Sequence, residues 1–352
     1  MQASLRALAG GLALALALCT AAFAAATTIS ESGSTLLLPL MDRWTQAYES
    51  SHGDISITTS GTGSGAGIAD AIAGRSAIGA SDAYMSDSAM QATPMIHVPL
   101  AIGAQQINYN IPEIRGQHLH LDAAALARIY SGSVSMWDDW HIKALNPSIA
   151  TRLPHHAIVP IRRSDASGDT FLFTQYLSDG DPMWKKNVGF GTSVNWPSVD
   201  RVQTAKGNAD VVNLCASAPY SIAYVGISFF DRASNAGLDY AALRGAAGDF
   251  VLPTADSIRA AVAAVDDRVP ADARVSLINA KVTGAYPIVN LEYAVIRGRQ
   301  PDPATAAALR SFLTWIISPA GGQQAQLMEG LHLQPLNETF ERIAQRQIAQ
   351  IH

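Results

Sequence analysis

The chain has 352 residues, 48% of them hydrophobic and 15% charged, with 24 Lys and Arg against 29 Asp and Glu for a formal net charge of −5. These proportions exclude a disordered polyelectrolyte. The acidic balance, without any dense Lys or Arg run, excludes nucleic acid and anionic membrane surfaces as partners, so attraction for an anion must be local.

The first segment, residues 1–26, reads as an export signal. Arg6 gives a positive start, Leu8 to Leu18 an apolar stretch, and Ala22-Phe23-Ala24 a small-x-small cleavage site, so the mature chain begins near Ala25 or Thr27 in the periplasm. A permanent anchor is the competing reading, because Leu5 to Ala26 is just long enough to span a bilayer. Lipidation at Cys19 is a third, opposed by the large Leu18 before it. Cleavage leaves Cys215 as the single cysteine and no internal disulfide.

After the signal, short apolar runs alternate with helical patterns. Leu36, Leu40, Trp44 and Tyr48 recur at helical spacing, Ile55-Ser56-Ile57-Thr58-Thr59 reads as a strand, Ile68, Ala69 and Ile72 mark a second helix, and Ala77-Ile78-Gly79-Ala80 a second strand. The alternation predicts an α/β fold with mainly parallel sheets. Residues 96–110 form a long extended stretch, matched late in the chain by residues 287–296. Two such segments bracketing a middle block predict a second domain inserted in the first and joined to it by a two-stranded hinge. Residues 304–317 and 338–351 close the chain as helices.

The densest chemical signal is Arg162-Arg163-Ser164-Asp165-Ala166-Ser167-Gly168-Asp169-Thr170, running into Phe171-Leu172-Phe173. A cation stands before a small glycine-containing turn that opens a helix, and a helix start offers unpaired N–H groups and partial positive charge. Ser167 or Asp169 is expected to cap this helix, taken over residues 170–178. The device recurs at Gly33-Ser34-Thr35 and at Gly61-Thr62-Gly63-Ser64-Gly65-Ala66-Gly67. Three such starts, if they converge, surround a tetrahedral oxyanion with short donors.

Asp82, after Gly79-Ala80-Ser81, is either a turn aspartate or something sharper. A carboxylate beside a bound anion repels it unless the anion brings a proton to donate, which phosphate does at neutral pH and sulfate does not.

Rival chemistries fit less well. Gly61-x-Gly63-x-x-Ala66, with Asp82 about 20 residues on, matches a loose dinucleotide fingerprint, but a strand-helix unit precedes it and export separates it from nicotinamide cofactors. Thr62 spoils a Gly-x-Ser-x-Gly nucleophile elbow at Ser64, and no Walker loop occurs. His118-x-His120 and His155-His156 lack the partners of a metal site, so no metal is expected.

At these same residues the chain resembles the phosphate-binding proteins of bacterial phosphate ABC transporters, the PstS family. The likeness runs through Gly33-Ser34-Thr35, Gly61-Thr62-Gly63-Ser64-Gly65, Gly79-Ala80-Ser81-Asp82, Ile129-Tyr130-Ser131-Gly132, Trp137-Asp138-Asp139, Leu145-Asn146-Pro147 and Arg162 to Gly168. It continues through Trp184-Lys185-Lys186-Asn187-Val188-Gly189, Lys206-Gly207-Asn208, Ala223-Tyr224-Val225 and Tyr286-Pro287-Ile288, covering nearly the whole mature chain.

The resemblance implies a two-lobed periplasmic binding protein of type II, each lobe a mainly parallel sheet flanked by helices. Lobe I would take residues 27–107 and 287–352, and lobe II residues 108–286. It implies a monomeric receptor without catalysis or cofactor that closes on inorganic phosphate and delivers it to an ABC transporter permease in the inner membrane. A receptor for another tetrahedral oxyanion, or an exported phosphohydrolase using the same cradle, stays open beside it. Carried over by motif, Thr35 and Ser64 would donate from hydroxyl and backbone, and Leu36 from its backbone N–H. Asp82 would accept the phosphate proton, Arg163 supply the charge, Ser167 and Gly168 add donors, and Asp165 hold Arg163 in place. Leu36 stands where the family usually has Phe, which spares the backbone donor. Asp169 stands where it usually has Thr, so an acceptor replaces a hydroxyl donor; it would either cap the helix and leave its N–H to the ligand, or accept a second ligand proton.

Overall fold

A computed structural model describes residues 26–352 apart from 266 and 267. The export-signal reading, Ala26 excepted, therefore lies outside the described residues.

The chain opens with β1 (Thr27–Gly33), α1 (Leu38–Glu49), β2 (Ile55–Thr58), α2 (Ser64–Ala73), β3 (Ile78–Ser81) and α3 (Asp87–Ala92). It continues with β4 (Ile96–Tyr109), β5 (His120–Leu121), α4 (Ala123–Ser131), α5 (Trp140–Leu145), β6 (Val159–Arg163), α6 (Gly168–Gly180) and α7 (Pro182–Asn187). Next come β7 (Gln203–Ala205), α8 (Gly207–Ser217), β8 (Ser221–Gly226), α9 (Phe230–Asn235), β9 (Asp239–Tyr240), β10 (Ala242–Arg244), β11 (Phe250–Val251) and α10 (Ala255–Ala263). β12 (Val289–Ile296), α11 (Pro303–Ile317), α12 (Ala325–Met328) and α13 (Glu338–Ile348) complete it.

The main sheet runs β2-β1-β3-β12-β4-β8-β6-β7, with β9 on the flank of β4. One half, β2-β1-β3, is parallel; the other, β8-β6-β7, is parallel too. β4 joins them. Its first part pairs antiparallel with β12 from Ile96 to Ala104, and its last part, Gln105 to Tyr109, pairs antiparallel with β8. The architecture is the α/β, two-lobed one expected, with helices covering each parallel sheet. β5, β10 and β11 form a small separate sheet.

Strands wrapped in helices on both faces should lack the alternation of a half-exposed strand. β4, β12, β3 and β8 are accordingly buried along their whole lengths. α1 buries Leu40, Met41, Trp44 and Tyr48; Leu40, Trp44 and Tyr48 belong to the stripe read from the sequence, whose first member, Leu36, is buried just ahead of the helix. Trp44 Nε1 donates to Gly322 O at 2.7 Å and Tyr48 OH to Ser311 Oγ at 2.7 Å, pinning α1 to the C-terminal helices. α11 packs on β1 and α13 on β4, so the first strand and the last helices lie in the same half. A second, small core of Ile161, Val211, Val212, Cys215, Ala223, Val225, Ala233 and Leu238 lies under α8 in the other half. Burial there pushes the Cys215 thiol up to about 12, which makes it inert.

Candidate functional site

β1, β3 and β6 each end at the same edge of their half-sheet, and the loops that follow them meet where the two halves face each other. Gly33 leaves β1 at φ +143°, with no room for a Cβ against the Ala80 backbone, and Gly63 turns at φ +94° against Asp165. Within one half, Gly63 N of the loop after β2 donates to Gly33 O at 2.7 Å, and across the seam Gly65 N donates to Ala166 O at 2.9 Å. Ser228 Oγ donates to Leu36 O at 2.6 Å.

The cation sits at the centre. The Arg163 side chain is 1% exposed, its backbone N–H donates to Tyr224 OH at 2.9 Å, and its guanidinium forks onto Asp165, with Nε–Oδ1 at 2.8 Å and Nη2–Oδ2 at 2.5 Å. Nη2 also reaches Thr35 Oγ1 at 3.2 Å, across the seam, and Nη1 donates to Asp169 Oδ2. Burial works against the charged guanidinium, but the Asp169 and Asp165 carboxylates outweigh it and raise its pKa above the ordinary arginine value. Burial likewise opposes ionisation of Asp165; donation and charge from Arg163, with the Gly207 N–H, nonetheless hold that carboxyl below the usual range.

The structure corrects the expectations for residues 167–170. α6 starts at Gly168, and Ser167 is its N-cap, accepting from Thr170 N at 3.4 Å. Asp169 caps nothing. Its carboxylate turns inward to Arg163, accepts from Asn208 Nδ2 at 2.7 Å and from Gln105 Nε2 at 3.2 Å, and is 1% exposed. A Thr at this position could not take three donors at once. Gly168 and Asp169 begin α6, so their N–H groups have no intrahelical acceptor.

Asp82 lies directly after β3 and is buried. Ser34 Oγ donates to its Oδ1, and its backbone N–H donates to Ser64 Oγ at 3.2 Å. Ser34 Oγ also accepts from Leu36 N at 3.1 Å and Leu37 N at 2.9 Å, so the Leu36 N–H expected to serve the ligand is bonded within its own loop. α6 presses close: a Cβ on Gly168 would collide with Asp82 Oδ2 and Ser64 Oγ. Burial, and then the Asp169 charge, push Asp82 up to about 6, although donation from Glu292 and Ser34 and the Arg163 charge work the other way.

The structure thus draws Thr35, Ser64, Asp82, Arg163, Asp165, Gly168 and Asp169 into one buried cluster, with Ser167 behind it as cap and Leu36 on its rim against Gly226. The hydroxyl oxygens are loaded as acceptors. Thr35 Oγ1 takes Asn208 Nδ2 at 3.0 Å besides Arg163, and Ser64 Oγ takes the Asp82 N–H, which leaves each hydroxyl proton as a donor. The chemistry offered is one fixed cation held by the Asp165 and Asp169 carboxylates, two hydroxyl donors, the N-terminus of α6 and the Asp82 carboxylate as a further acceptor.

Asn208, Gln105, Tyr224 and Glu292 belong to the cluster and were not singled out as site residues from sequence. Glu292 carried a signal, a lone carboxylate in the apolar stretch 287–296; Gln105, in the middle of the stretch 96–110, carried a weaker one.

Residues 20–320 match the family model of the PBP superfamily domain. The chain is 35% identical over 307 residues to the phosphate-binding protein PstS of Methanocaldococcus jannaschii, covering 82% of this chain and 78% of that protein. It is 33% identical over 303 residues to the PstS of Haemophilus influenzae, covering 86% and 88%. Among solved structures it is similar to PfluDING, a high-affinity periplasmic phosphate-binding protein bound with phosphate, at TM-score 0.71 and 20% identity over 91% of this chain and 93% of that one. An ABC-type phosphate transport receptor from Vibrio cholerae matches at TM-score 0.57 and 16% identity, covering 88% and 100%.

Proposed function

This chain belongs to the PstS family of phosphate-binding proteins within the PBP superfamily, and on that premise we propose that it captures inorganic phosphate in the periplasm and hands it to an ABC transporter permease in the inner membrane. Residues 1–26 would direct export and be removed. The receptor acts as a monomer without chemistry of its own, and its lobes are residues 27–107 with 287–352, and 108–286.

The observation that carries this reading is the make-up of the cluster: hydroxyl and N–H donors, one buried cation held by the Asp165 and Asp169 carboxylates, and a further carboxylate, Asp82, that pairs with no cation among the described residues and stands where a bound anion would meet it. Arg163 supplies the charge, Thr35 and Ser64 give hydroxyl protons, and the first turn of α6 gives N–H groups at Gly168 and Asp169, with Ser167 holding the turn open. Leu36 contributes its N–H only if Ser34 Oγ releases it. Asp82 accepts the proton that phosphate carries, so a fully ionised tetrahedral anion meets repulsion instead of a hydrogen bond.

Titration calorimetry of the mature protein with phosphate, arsenate and sulfate tests this. Phosphate and arsenate should bind and sulfate should not compete, while Asp82→Asn, whose amide donates, should admit sulfate. Equal affinity for phosphate and sulfate in the wild-type protein would refute the proton-accepting role of Asp82.

A further inference from the structure

Glu292 is fully buried, comes from a strand whose other side chains are apolar, amide or phenol, and forms no ion pair among the described residues. The antiparallel register that sets Tyr293 of β12 opposite Ser81 of β3 brings Glu292 level with Asp82. β12 changes register against β4 between Glu292 and Tyr293, which turns the glutamate toward the seam. On the far side it packs on Gly103 of β4, where a Cβ would strike Oε1. Oε1 accepts from Asn290 Nδ2 at 2.8 Å. Among the described residues no group donates to Oε2, and the Asp82 carboxyl is the acid that neighbours the glutamate.

We propose that Glu292 is a positioning and specificity-determining residue of the anion site: as a neutral carboxylic acid it donates its Oε2 proton toward Asp82 and holds that carboxylate as the acceptor that reads the ligand's proton. This rests on the phosphate reading above.

Two carboxyls buried side by side cannot both ionise, so the pair holds one proton between them. Three groups decide which member carries it. Arg163 of β6 stabilises negative charge on Asp82, and Ser34, in the loop after β1, donates to it. Glu292 has only the Asn290 amide, while the Asp169 carboxylate of α6 repels charge on both. Burial first, and then the Asp82 charge, raise the Glu292 pKa far above the carboxylate range, which places the proton on Glu292. Without that donor, Asp82 would gain the proton itself at mildly acidic pH and become a donor, and the filter against ionised anions would fail there.

The chemistry prescribes its own control. Glu292→Gln keeps an oxygen for Asn290 and presents an N–H to Asp82, whereas Glu292→Leu keeps neither. The Asp and Glu carboxyl carbons of the ligand-free proteins can be followed by NMR through a pH titration, with phosphate and sulfate calorimetry on the same samples at three pH values. We expect Glu292→Gln to leave the Asp82 midpoint and the phosphate-to-sulfate preference within about threefold of wild type. Glu292→Leu should raise the midpoint and lower the preference by about tenfold or more near pH 6, the loss expected for a hydrogen bond to a charged group. Like behaviour of the two variants, or an Asp82 midpoint that falls in Glu292→Gln because a charge was removed, overturns the proposal. If Glu292→Leu does not fold, the Gln midpoint alone decides between these outcomes. If the wild type binds no phosphate, the receptor reading fails by itself, and the ligand-free NMR titration still judges Glu292.

Discussion

Replacing Asp169 by Thr separates what its carboxylate does for the fold from what it does to the ligand. The carboxylate accepts from Arg163, Asn208 and Gln105 in a site closed to water. Its removal forfeits the charge-assisted bond from Arg163 and one bond from each of two amides, while Gln105 Nε2 keeps the Asp169 backbone O at 2.9 Å, Asn208 Nδ2 keeps Thr35 Oγ1 at 3.0 Å and Arg163 keeps its fork on Asp165. Hydrogen bonds to charged groups contribute about 1.5–3 kcal/mol, so the ligand-free variant should lose roughly 3 kcal/mol. A lost helix cap would cost only about 1 kcal/mol. Melting of the ligand-free protein should therefore fall by about 5 °C. Phosphate has the opposite interest. An incoming anion roughly 5 Å from the Asp169 carboxylate, at an effective dielectric of about 20, is repelled by about 3 kcal/mol. Lifting that charge should tighten binding of the dianion by about a hundredfold or more and flatten the rise in affinity toward acid pH expected of the wild type. Scanning fluorimetry with and without phosphate, and calorimetry at three pH values, read both effects. A variant that melts within about 1 °C of wild type without ligand, or whose affinity keeps the wild-type slope with pH, would refute this reasoning.

Two further perturbations test other parts of the structure. Glu31 is buried under the first loop, and burial, opposed by donation from Ser60 N and aided by the Asp42 charge, pushes its carboxyl from 4.5 up to about 8. Between those values the folded chain holds a proton that the unfolded chain has released, so this group's contribution to stability is full below the lower value and is lost as pH rises through the higher one. Denaturant unfolding across that window should show Glu31→Gln gaining on wild type as pH rises; parallel curves would place Glu31 in solvent. Gly168→Ala puts a methyl against Asp82 and Ser64, and overpacking of about 1–3 kcal/mol there should weaken phosphate by about tenfold or more while α6 stays helical by circular dichroism. Undiminished binding would mean that α6 does not close on Asp82.

The three loops were legible in the sequence because each combines a glycine that only an unusual backbone needs with hydroxyls and a following apolar helix pattern. Asp165 was legible for a related reason, since a carboxylate two residues after an arginine in a turn has few other places to go. The role of Asp169 was not, because Ser167 and Asp169 are both capping types spaced two apart, and choosing between them depends on where the first turn of α6 starts. Asn208, Gln105 and Glu292 reach the cluster from α8, β4 and β12, and only the packing of the sheet halves brings those elements together. The long extended stretches 96–110 and 287–296 announced themselves by apolar runs too continuous for a half-exposed sheet, and β4 and β12 occupy them.

The first strand and the last helix share one half of the molecule, and that arrangement has a mechanical meaning. A force applied between residue 27 and residue 351 is carried by β1, α11, α13 and the part of β4 under them, whereas β6, β7, β8 and their helices hang from that frame as an insert off the line of load. In a single-molecule pull the frame should yield first, and the inserted half, until then untensioned, should follow as a separate later event.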